Sequence, residues 1–373
     1  MAQSGAPLVV VAAGGTGGHL FPAEALSVAL ARRGAVIDLA TDERATRYGT
    51  TFPARATHVI PSATVRGRDP VSLARTAAML SLGVMKAWLL LGRLRPAAVV
   101  GFGGYPSIPP VLAAAWRGIP TVIHEQNGVM GRANKFLSSR VSAIATSFPG
   151  VLDKTPALAA KATHTGNPVR PVVVAAAAVP YTPLDASGAF NLIVFGGSQG
   201  AKVMSDIVPD GLAMLDARLR ARLKVVQQAR EEDFDRVRQS YARAQISAEV
   251  ARFFPDLPAR IAASHLVISR SGASTVAELA AIGRPAILVP LPHALDQDQR
   301  ANAGVLERAG GAIRLDQTDF TPDRLAAEVG ALAADPGRLV KMAAAAKSAG
   351  ALDAAERLAD LVLKVASVIS PRQ

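Results

Sequence analysis

The 373-residue chain has no cysteine, which excludes a disulfide framework, thiolate metal sites and cysteine nucleophiles. Its composition fits a reducing compartment. Aromatic residues are scarce, at 5%, and the basic residues are spread without a recognisable nucleic-acid module. Nucleic-acid binding is therefore disfavoured. Acidic residues are also few: 29 Asp+Glu face 41 Lys+Arg, a net charge of +12. That excess calls for an anionic partner, and with nucleic acid set aside the choices are phosphorylated substrates or an acidic membrane surface.

Other signals are missing as well. Residues 1–7 lack the basic region of a signal peptide. The uncharged run from Ala97 to Trp116 is broken by Gly101, Gly103, Gly104, Pro106, Pro109 and Pro110, and the apolar run Val84 to Leu91 by Lys86. A soluble or peripheral protein is expected. Asp296-x-Asp298 superficially resembles a metal pair but has no further ligand cluster, so neither metal nor cofactor is expected.

Half of the residues are hydrophobic, and the length exceeds what one ordinary core serves, so two domains are expected. Short buried-strand patterns alternate with Ala/Leu-rich helical ones. Strands are read at Leu8–Ala12, Ala35–Ala40, Ala97–Val100 and Pro120–His124, with helices at about Pro22–Arg33 and Pro110–Trp116. The proline-rich stretch 168–183 reads as an extended connector. The pattern then restarts with strands at Asn191–Phe195, Leu223–Gln227, Leu266–Ser269 and Ala286–Pro290, and a helix from about Ala201. Continuous apolar strands alternating with helices imply α/β units with parallel sheets covered on both faces. The expected division is 1–167, a linker 168–183, and 184–349, with a C-terminal helix at about 350–373 packing back on the first domain.

Three glycine loops follow strands: Gly14-Gly15-Thr16-Gly17-Gly18-His19, Gly101-Phe102-Gly103-Gly104-Tyr105 and Gly196-Gly197-Ser198-Gln199-Gly200. Glycine lets backbone approach an anion closely, and a helix start offers unpaired N–H groups, so phosphate binding is one reading and a tight turn the other. None completes G-x-G-x-x-G, since the third position falls on Leu20 or Pro106, and none precedes G-K-S/T. A nicotinamide oxidoreductase and a nucleotide-hydrolysing P-loop are both weakened.

Polar clusters stand between the loops. His124-Glu125-Gln126-Asn127-Gly128 ends a strand, where open α/β sheets bind ligands. Arg170 closes Gly166-Asn167-Pro168-Val169-Arg170 at the connector, where it clamps a phosphate or merely solvates a linker. In Ser271-Gly272-Ala273-Ser274-Thr275-Val276-Ala277-Glu278, the Thr275/Glu278 pair reads either as a capping box or as a ribose-binding acid.

Together with Pro290-Leu291-Pro292-His293-Ala294 and its following Asp298-Gln299, these motifs, in this order, resemble the MurG family of peptidoglycan N-acetylglucosaminyltransferases over essentially the whole chain. The resemblance implies two doubly wound Rossmann-like domains of glycosyltransferase-B architecture with an interdomain cleft. It implies an inverting transfer of N-acetylglucosamine from UDP-N-acetylglucosamine to the C4 hydroxyl of undecaprenyl-pyrophosphoryl-N-acetylmuramyl-pentapeptide (lipid I to lipid II), on the cytoplasmic face of the inner membrane. Carried over by position, Ser198, Gln199 and Arg170 meet the donor pyrophosphate, Phe254 the uracil, and Ala273, Ser274, Thr275, Val276 and Ala277 the helix start. Glu278 takes the ribose and Gln299 the sugar, while Thr16, Gly17, Gly18 and Asn127 contribute from the first domain. Gly14, Gly15, Gly103, Gly104 and Tyr105 would cradle the acceptor diphosphate. His19 is the candidate base, or a structural histidine closing its loop, with Glu125 in reserve. One departure stands out: after the Leu223–Val226 strand, Gln227-Gln228-Ala229-Arg230 replaces the H-Q-x-G turn of many relatives, leaving the loop beside the donor open in geometry.

From Arg66 to Arg95, six basic residues (Arg66, Arg68, Arg75, Lys86, Arg93, Arg95) face the single acid Asp69 among Met79, Leu80, Leu82, Trp88 and Leu89. This reads as an anionic-membrane contact or as a core helix with solvated ends, and a polyprenyl acceptor favours the membrane. Rival readings are another UDP-sugar transferase acting on a lipid or natural product, and a non-catalytic membrane scaffold.

Overall fold

The computed structural model describes residues 6–14, 17–43, 52–63, 69–197, 200–292 and 297–368. The chain divides into two compact units: Met1–Arg170 with Leu352–Gln373, and Pro171–Ala351.

Unit 1 holds strands β1 (Leu8–Ala12), β2 (Val36–Thr41), β3 (Ala56–Val59), β4 (Ala98–Gly101), β5 (Thr121–Glu125), β6 (Ala143–Thr146) and β7 (Ala162–His164). They form one parallel sheet in the order β3-β2-β1-β4-β5-β6-β7. Its helices are α1 (Gly17–Arg32), α2 (Pro70–Leu94), α3 (Ile108–Trp116), α4 (Arg132–Leu137) and α5 (Pro156–Ala159). Alternate residues of β1 feed opposite cores. Val9 and Val11 pack with Leu26 and Leu30 of α1, whereas Val10 and Ala12 pack with Leu91 of α2 and Val111 of α3. Both faces are thus covered, which is why the strand is apolar throughout.

Unit 2 opens with α6 (Pro171–Ala177) and holds β8 (Phe190–Phe195), β9 (Leu223–Gln228), β10 (Ser247–Ala251), β11 (Leu266–Ser269), β12 (Ala286–Leu288) and β13 (Ala312–Arg314). Its parallel order is β10-β9-β8-β11-β12-β13. The remaining helices are α7 (Lys202–Ala213), α8 (Ala217–Arg222), α9 (Phe234–Arg243), α10 (Leu257–Ala262), α11 (Ala273–Ile282), α12 (Asp298–Ala309), α13 (Pro322–Ala334) and α14 (Pro336–Ser348). A final helix, α15 (Ala354–Val368), belongs to unit 1. Leu358 and Val362 are buried in the core beside α1, and Arg33 pairs with Glu356 and, at 2.9 Å, with Asp360. Both sheets follow the doubly wound order 3-2-1-4-5-6, so each reverses its winding once, between β1 and β4 or between β8 and β11.

Several elements differ from the sequence reading. Helix α1 begins at Gly17, five residues before Pro22, and contains that proline. Pro22 has no N–H to offer the carbonyl of Gly18, four residues earlier, so the helix goes without that bond. The proline-rich connector is helical over Pro171–Ala177 because Pro171 starts a helix without losing a bond and an alanine run follows. Helix α11 starts at Ala273 with Gly272 as its cap, so Thr275 lies in the first turn and the Thr275/Glu278 capping box does not form.

Past α6 the chain is welded to unit 2. Arg284, only 1% exposed, donates to the carbonyls of Ala262 (3.0 Å), Ile282 and Gly283 (both 3.1 Å), Val179 (3.1 Å) and Pro180 (3.2 Å), and Lys347 Nζ donates to Ala177 O at 2.7 Å. Replacing this arginine strands several buried carbonyls. Arg284→Met is expected to lower stability by about 3 kcal/mol, read as a fall in the urea midpoint.

Candidate active site

In unit 1 the carboxyl ends of β1 and β4 lie side by side at the winding reversal, where a crevice opens outside the sheet. Gly14 ends the β1 side; Gly15 and Thr16 lie outside the described residues. Gly17, Gly18 and His19 form the first turn of α1, so His19 rides on a helix start. Its Nδ1–H donates to Gln126 Oε1 at 3.3 Å, and Gln126 Nε2 donates to the Phe102 carbonyl at 2.8 Å. Because the amide nitrogen is engaged by Phe102, its oxygen faces the imidazole. The network therefore assigns the proton to Nδ1 and leaves Nε2 as the unprotonated nitrogen. Burial lowers the His19 pKa below 6.5, opposed in part by Gln126 and the Phe102 carbonyl. The ring is thus a neutral imidazole at pH 7. Its Nε2 edge rests on Gly104, where a Cβ would stand 3.2 Å from the ring on a backbone with φ +69°. Only glycine suits that position.

The end of β5 organises the neighbouring loop. Glu125, 1% exposed, accepts from Asn127 N (2.9 Å), Asn127 Nδ2 (3.2 Å), Gly131 N (2.9 Å) and Asn134 Nδ2 (2.8 Å). Burial raises its pKa, while these donors pull it down. Both carboxylate oxygens are thus held by the loop, an arrangement that suits a scaffold better than a proton acceptor. His124, fully buried, donates from Nε2 to Gly166 O at 3.0 Å and lies 5.3 Å from the Phe102 ring. Arg170 lies over the Phe21 ring of α1 at 3.9 Å and near Glu24, whose pKa is raised by burial and lowered by that guanidinium. Tyr105 starts a 3₁₀ turn leading into α3.

Unit 2 repeats the arrangement at β8 and β11. Ser198 and Gln199 lie outside the described residues, as does 293–296. The N–H of Gly196 donates to Gln228 Oε1 at 3.1 Å, and Gln228 Nε2 donates to Arg252 O at 3.3 Å. A Cβ on Gly196 would lie 2.1 Å from Ala201 N, so this turn admits glycine alone. The departure at 227–230 is accommodated: Gln227 receives the Tyr241 hydroxyl, and Arg230 pairs with Glu232 and Asp233, both at 3.0 Å. Gly272 caps α11 without a side-chain acceptor, which directs the first-turn N–H groups of Ala273, Ser274 and Thr275 to the carboxyl edge. Val276, Ala277 and the buried Glu278 follow on the same helix. Phe254 is buried under Arg260, 4.6 Å away. Gln299 Oε1 accepts from Leu291 N at 3.1 Å, and its carbonyl accepts from Ser271 Oγ at 2.8 Å. Arg270, also buried, donates to the carbonyls of Val289 and Pro290 at 3.0 Å, holding the β12 loop.

Three supports were not singled out from sequence: Gln126 behind His19, Asn134 beneath Glu125, and Gln228 beneath Gly196. Gln126 and Gln228 stood inside quoted motifs. Asn134 carried no signal beyond being polar near a helix start.

Two doubly wound units with glycine turns at their winding reversals define a glycosyltransferase-B fold. Residues 9–146 match the glycosyltransferase family 28 N-terminal domain and residues 191–358 the family 28 C-terminal domain. A UDP-N-acetylglucosamine--N-acetylmuramyl-(pentapeptide) pyrophosphoryl-undecaprenol N-acetylglucosamine transferase of Rhodopseudomonas palustris (strain BisB18) is 64% identical over 365 residues, 98% of this chain and 97% of that protein. Its namesake from Nitrobacter hamburgensis is 62% identical, covering 98% and 99% respectively. The crystal structure of Acinetobacter baumannii MurG superposes with a TM-score of 0.78 at 28% identity, covering 96% of this chain and 99% of that one. The chain belongs to glycosyltransferase family 28, in its branch of UDP-N-acetylglucosamine--N-acetylmuramyl-(pentapeptide) pyrophosphoryl-undecaprenol N-acetylglucosamine transferases.

His124 ties this site to pH. Burial lowers its pKa to about 4, against 6.5 when exposed, so acid favours the unfolded chain, which takes up the proton first. Its contribution is intact above pH 6.5 and is lost as pH falls towards 4, by roughly 3 kcal/mol. Urea melts across that window are expected to flatten by this amount in His124→Phe.

Proposed function

We propose that this protein is an inverting transferase that moves N-acetylglucosamine from UDP-N-acetylglucosamine to the C4 hydroxyl of a polyprenyl-pyrophosphoryl-N-acetylmuramyl-pentapeptide. The observation that carries the reading is His19, a neutral imidazole with its unprotonated Nε2 beside Gly104 of a glycine loop. The acceptor oxygen attacks the anomeric carbon, the bond from that carbon to UDP breaks with its electron pair, and the hydroxyl proton passes to His19 Nε2. Donor diphosphate suits the α11 start, where the helix dipole meets the charge that develops on the leaving group. Arg170 adds positive charge, Phe254 and Glu278 serve the uridine, and Gln299 the sugar. Acceptor diphosphate suits the loops at Gly14 to Gly18 and Gly103 to Tyr105. Glu125 positions Asn127 and takes no proton.

The proposal includes peripheral attachment to an anionic membrane. Helix α2 has the length and composition to span a bilayer, yet Thr76, Gly83, Ala87 and Leu91 pack inward, and it carries Arg75, Lys86 and Arg93. Val71, Leu73, Met79, Leu82, Met85 and Leu89 remain exposed. An apolar ridge with cations suits the interfacial plane of a bilayer.

With labelled UDP-N-acetylglucosamine and a lipid I analogue, the protein is expected to form the disaccharide lipid. His19→Ala should lower kcat about a hundred- to ten-thousandfold. For the wild type, kcat/KM should fall on acidification with a midpoint below 6.5, the direction in which burial moves His19. That acid limb should persist in Glu125→Gln and vanish in His19→Ala; full turnover in His19→Ala removes it as the base.

Attachment is tested separately. Reversing Arg75, Lys86 and Arg93 to glutamate should weaken binding to anionic vesicles, and added salt should do the same to the wild type.

A further inference from the structure

Just past β9 stands Arg230, where this chain departs from the H-Q-x-G turn. Its side chain lies against the glycine turn that joins β8 to α7. Gly200 ends that turn with φ +69°, and its N–H donates to Gly197 O at 3.1 Å. A Cβ on Gly200 would stand 2.7 Å from Arg230 Cγ, so the arginine stem occupies the space that the glycine leaves. The guanidinium beyond is anchored: Nε donates to Asp233 Oδ2 and Nη1 to Glu232 Oε1, both at 3.0 Å. Asp233, 3% exposed, is the hub of this contact. Its other oxygen accepts from Arg236 Nη2 at 2.8 Å, and Arg236 Nη1 donates to Ser205 O of α7 at 3.1 Å. The bonds thus leave the connection at Gly200 and return to it at Ser205. Burial alone would raise the Asp233 pKa, but Arg236 and Arg230 outweigh it and hold the carboxyl below its usual range. The clamp is therefore charged at neutral pH.

We propose that Arg230 is a positioning residue for the sugar-nucleotide donor, an anchored side chain that braces the turn between β8 and α7. This role rests on the proposed function, with that turn as one wall of the donor diphosphate site. A glycine-rich turn has much conformational freedom to lose when it closes on a ligand. The near end of this one is already held, because Gly196 N–H donates to Gln228 Oε1 at 3.1 Å. Arg230 holds the far end, so the turn loses little freedom when the donor arrives. The competing role is direct contact with phosphate. Two carboxylates already engage the guanidinium and offset its charge, so Arg230 brings shape to the turn more than it brings field.

Three variants test the brace, with UDP binding read by calorimetry and turnover by labelled UDP-N-acetylglucosamine. In Arg230→Gly the Kd for UDP and the donor KM should both rise about tenfold, while kcat and the acceptor KM stay within about twofold. The Gly200 amide should also exchange faster with solvent, and amides of the central strands should not. Arg230→Lys keeps the stem and one ion pair, and should recover most of the loss. Asp233→Asn releases the guanidinium and should weaken UDP binding as well, with the double variant no weaker than the worse single one. Tighter UDP binding in Asp233→Asn overturns the brace and makes Arg230 a phosphate ligand restrained by its partner. An unchanged Kd for UDP in Arg230→Gly overturns it too, as does a fall in kcat at constant donor KM, the signature of partial unfolding. A wild type that binds UDP yet transfers nothing would strike the proposed function instead, since calorimetry needs no turnover.

Discussion

A parallel sheet that reverses its winding leaves its carboxyl edge uncovered at the reversal, because the connections on either side leave towards opposite faces. Both units do so once, at β1/β4 and at β8/β11. The glycine turns after β1, β4, β8 and β11 are arranged around those two gaps. The glycines sit there because strand must turn into helix within a few residues, so that helix N–H groups end up beside the opening. The buried strands provide rigidity, and the turns provide access.

Around the first gap one buried carboxylate organises the rest. Glu125 gathers four donors, Gln126 fixes the tautomer of His19, and His124 reaches across to Gly166. Three consecutive residues thus have three jobs, made possible by a strand end, where alternate side chains point to opposite faces and the next residue leaves the sheet. Removing charge from a carboxylate so placed would disturb the loop before it disturbed any proton transfer. The neighbouring imidazole differs: its unprotonated Nε2 stands beside Gly104.

The sequence was most readable where both sheet faces are buried. Strands β1 and β4 are unbroken apolar runs and β8 and β11 depart from that only at Asn191 and Ser269, whereas β3 and β10 lie at sheet edges with mixed exposure and leave no such trace. The motifs were visible as strings, but their partners were not. His19 and Gln126 are separated by 107 positions, and Gly196 and Gln228 by 32. Only the folded sheet brings strand ends together, so residue types were legible and bonding was not. The misread capping box shows the same limit: Gly272 offers the extended backbone a cap needs, and the local Thr/Glu spacing was incidental.

The charge excess also changes meaning once burial is known. Arg270 and Arg284 are almost wholly buried, and the partners described for them are backbone carbonyls and, for Arg270, Gln317 Oε1 at 2.5 Å. Five planar donors let one arginine satisfy several converging carbonyls, a task for which lysine has the wrong shape. These cations hold loops and a connecting segment in place, and neither adds much to the field at the surface. Part of the net charge is thus structural, which makes the surface less uniformly positive than the composition suggests. Cations at α2 therefore matter more locally than the total does, because they stand beside exposed apolar side chains, where a charged interface would meet both at once.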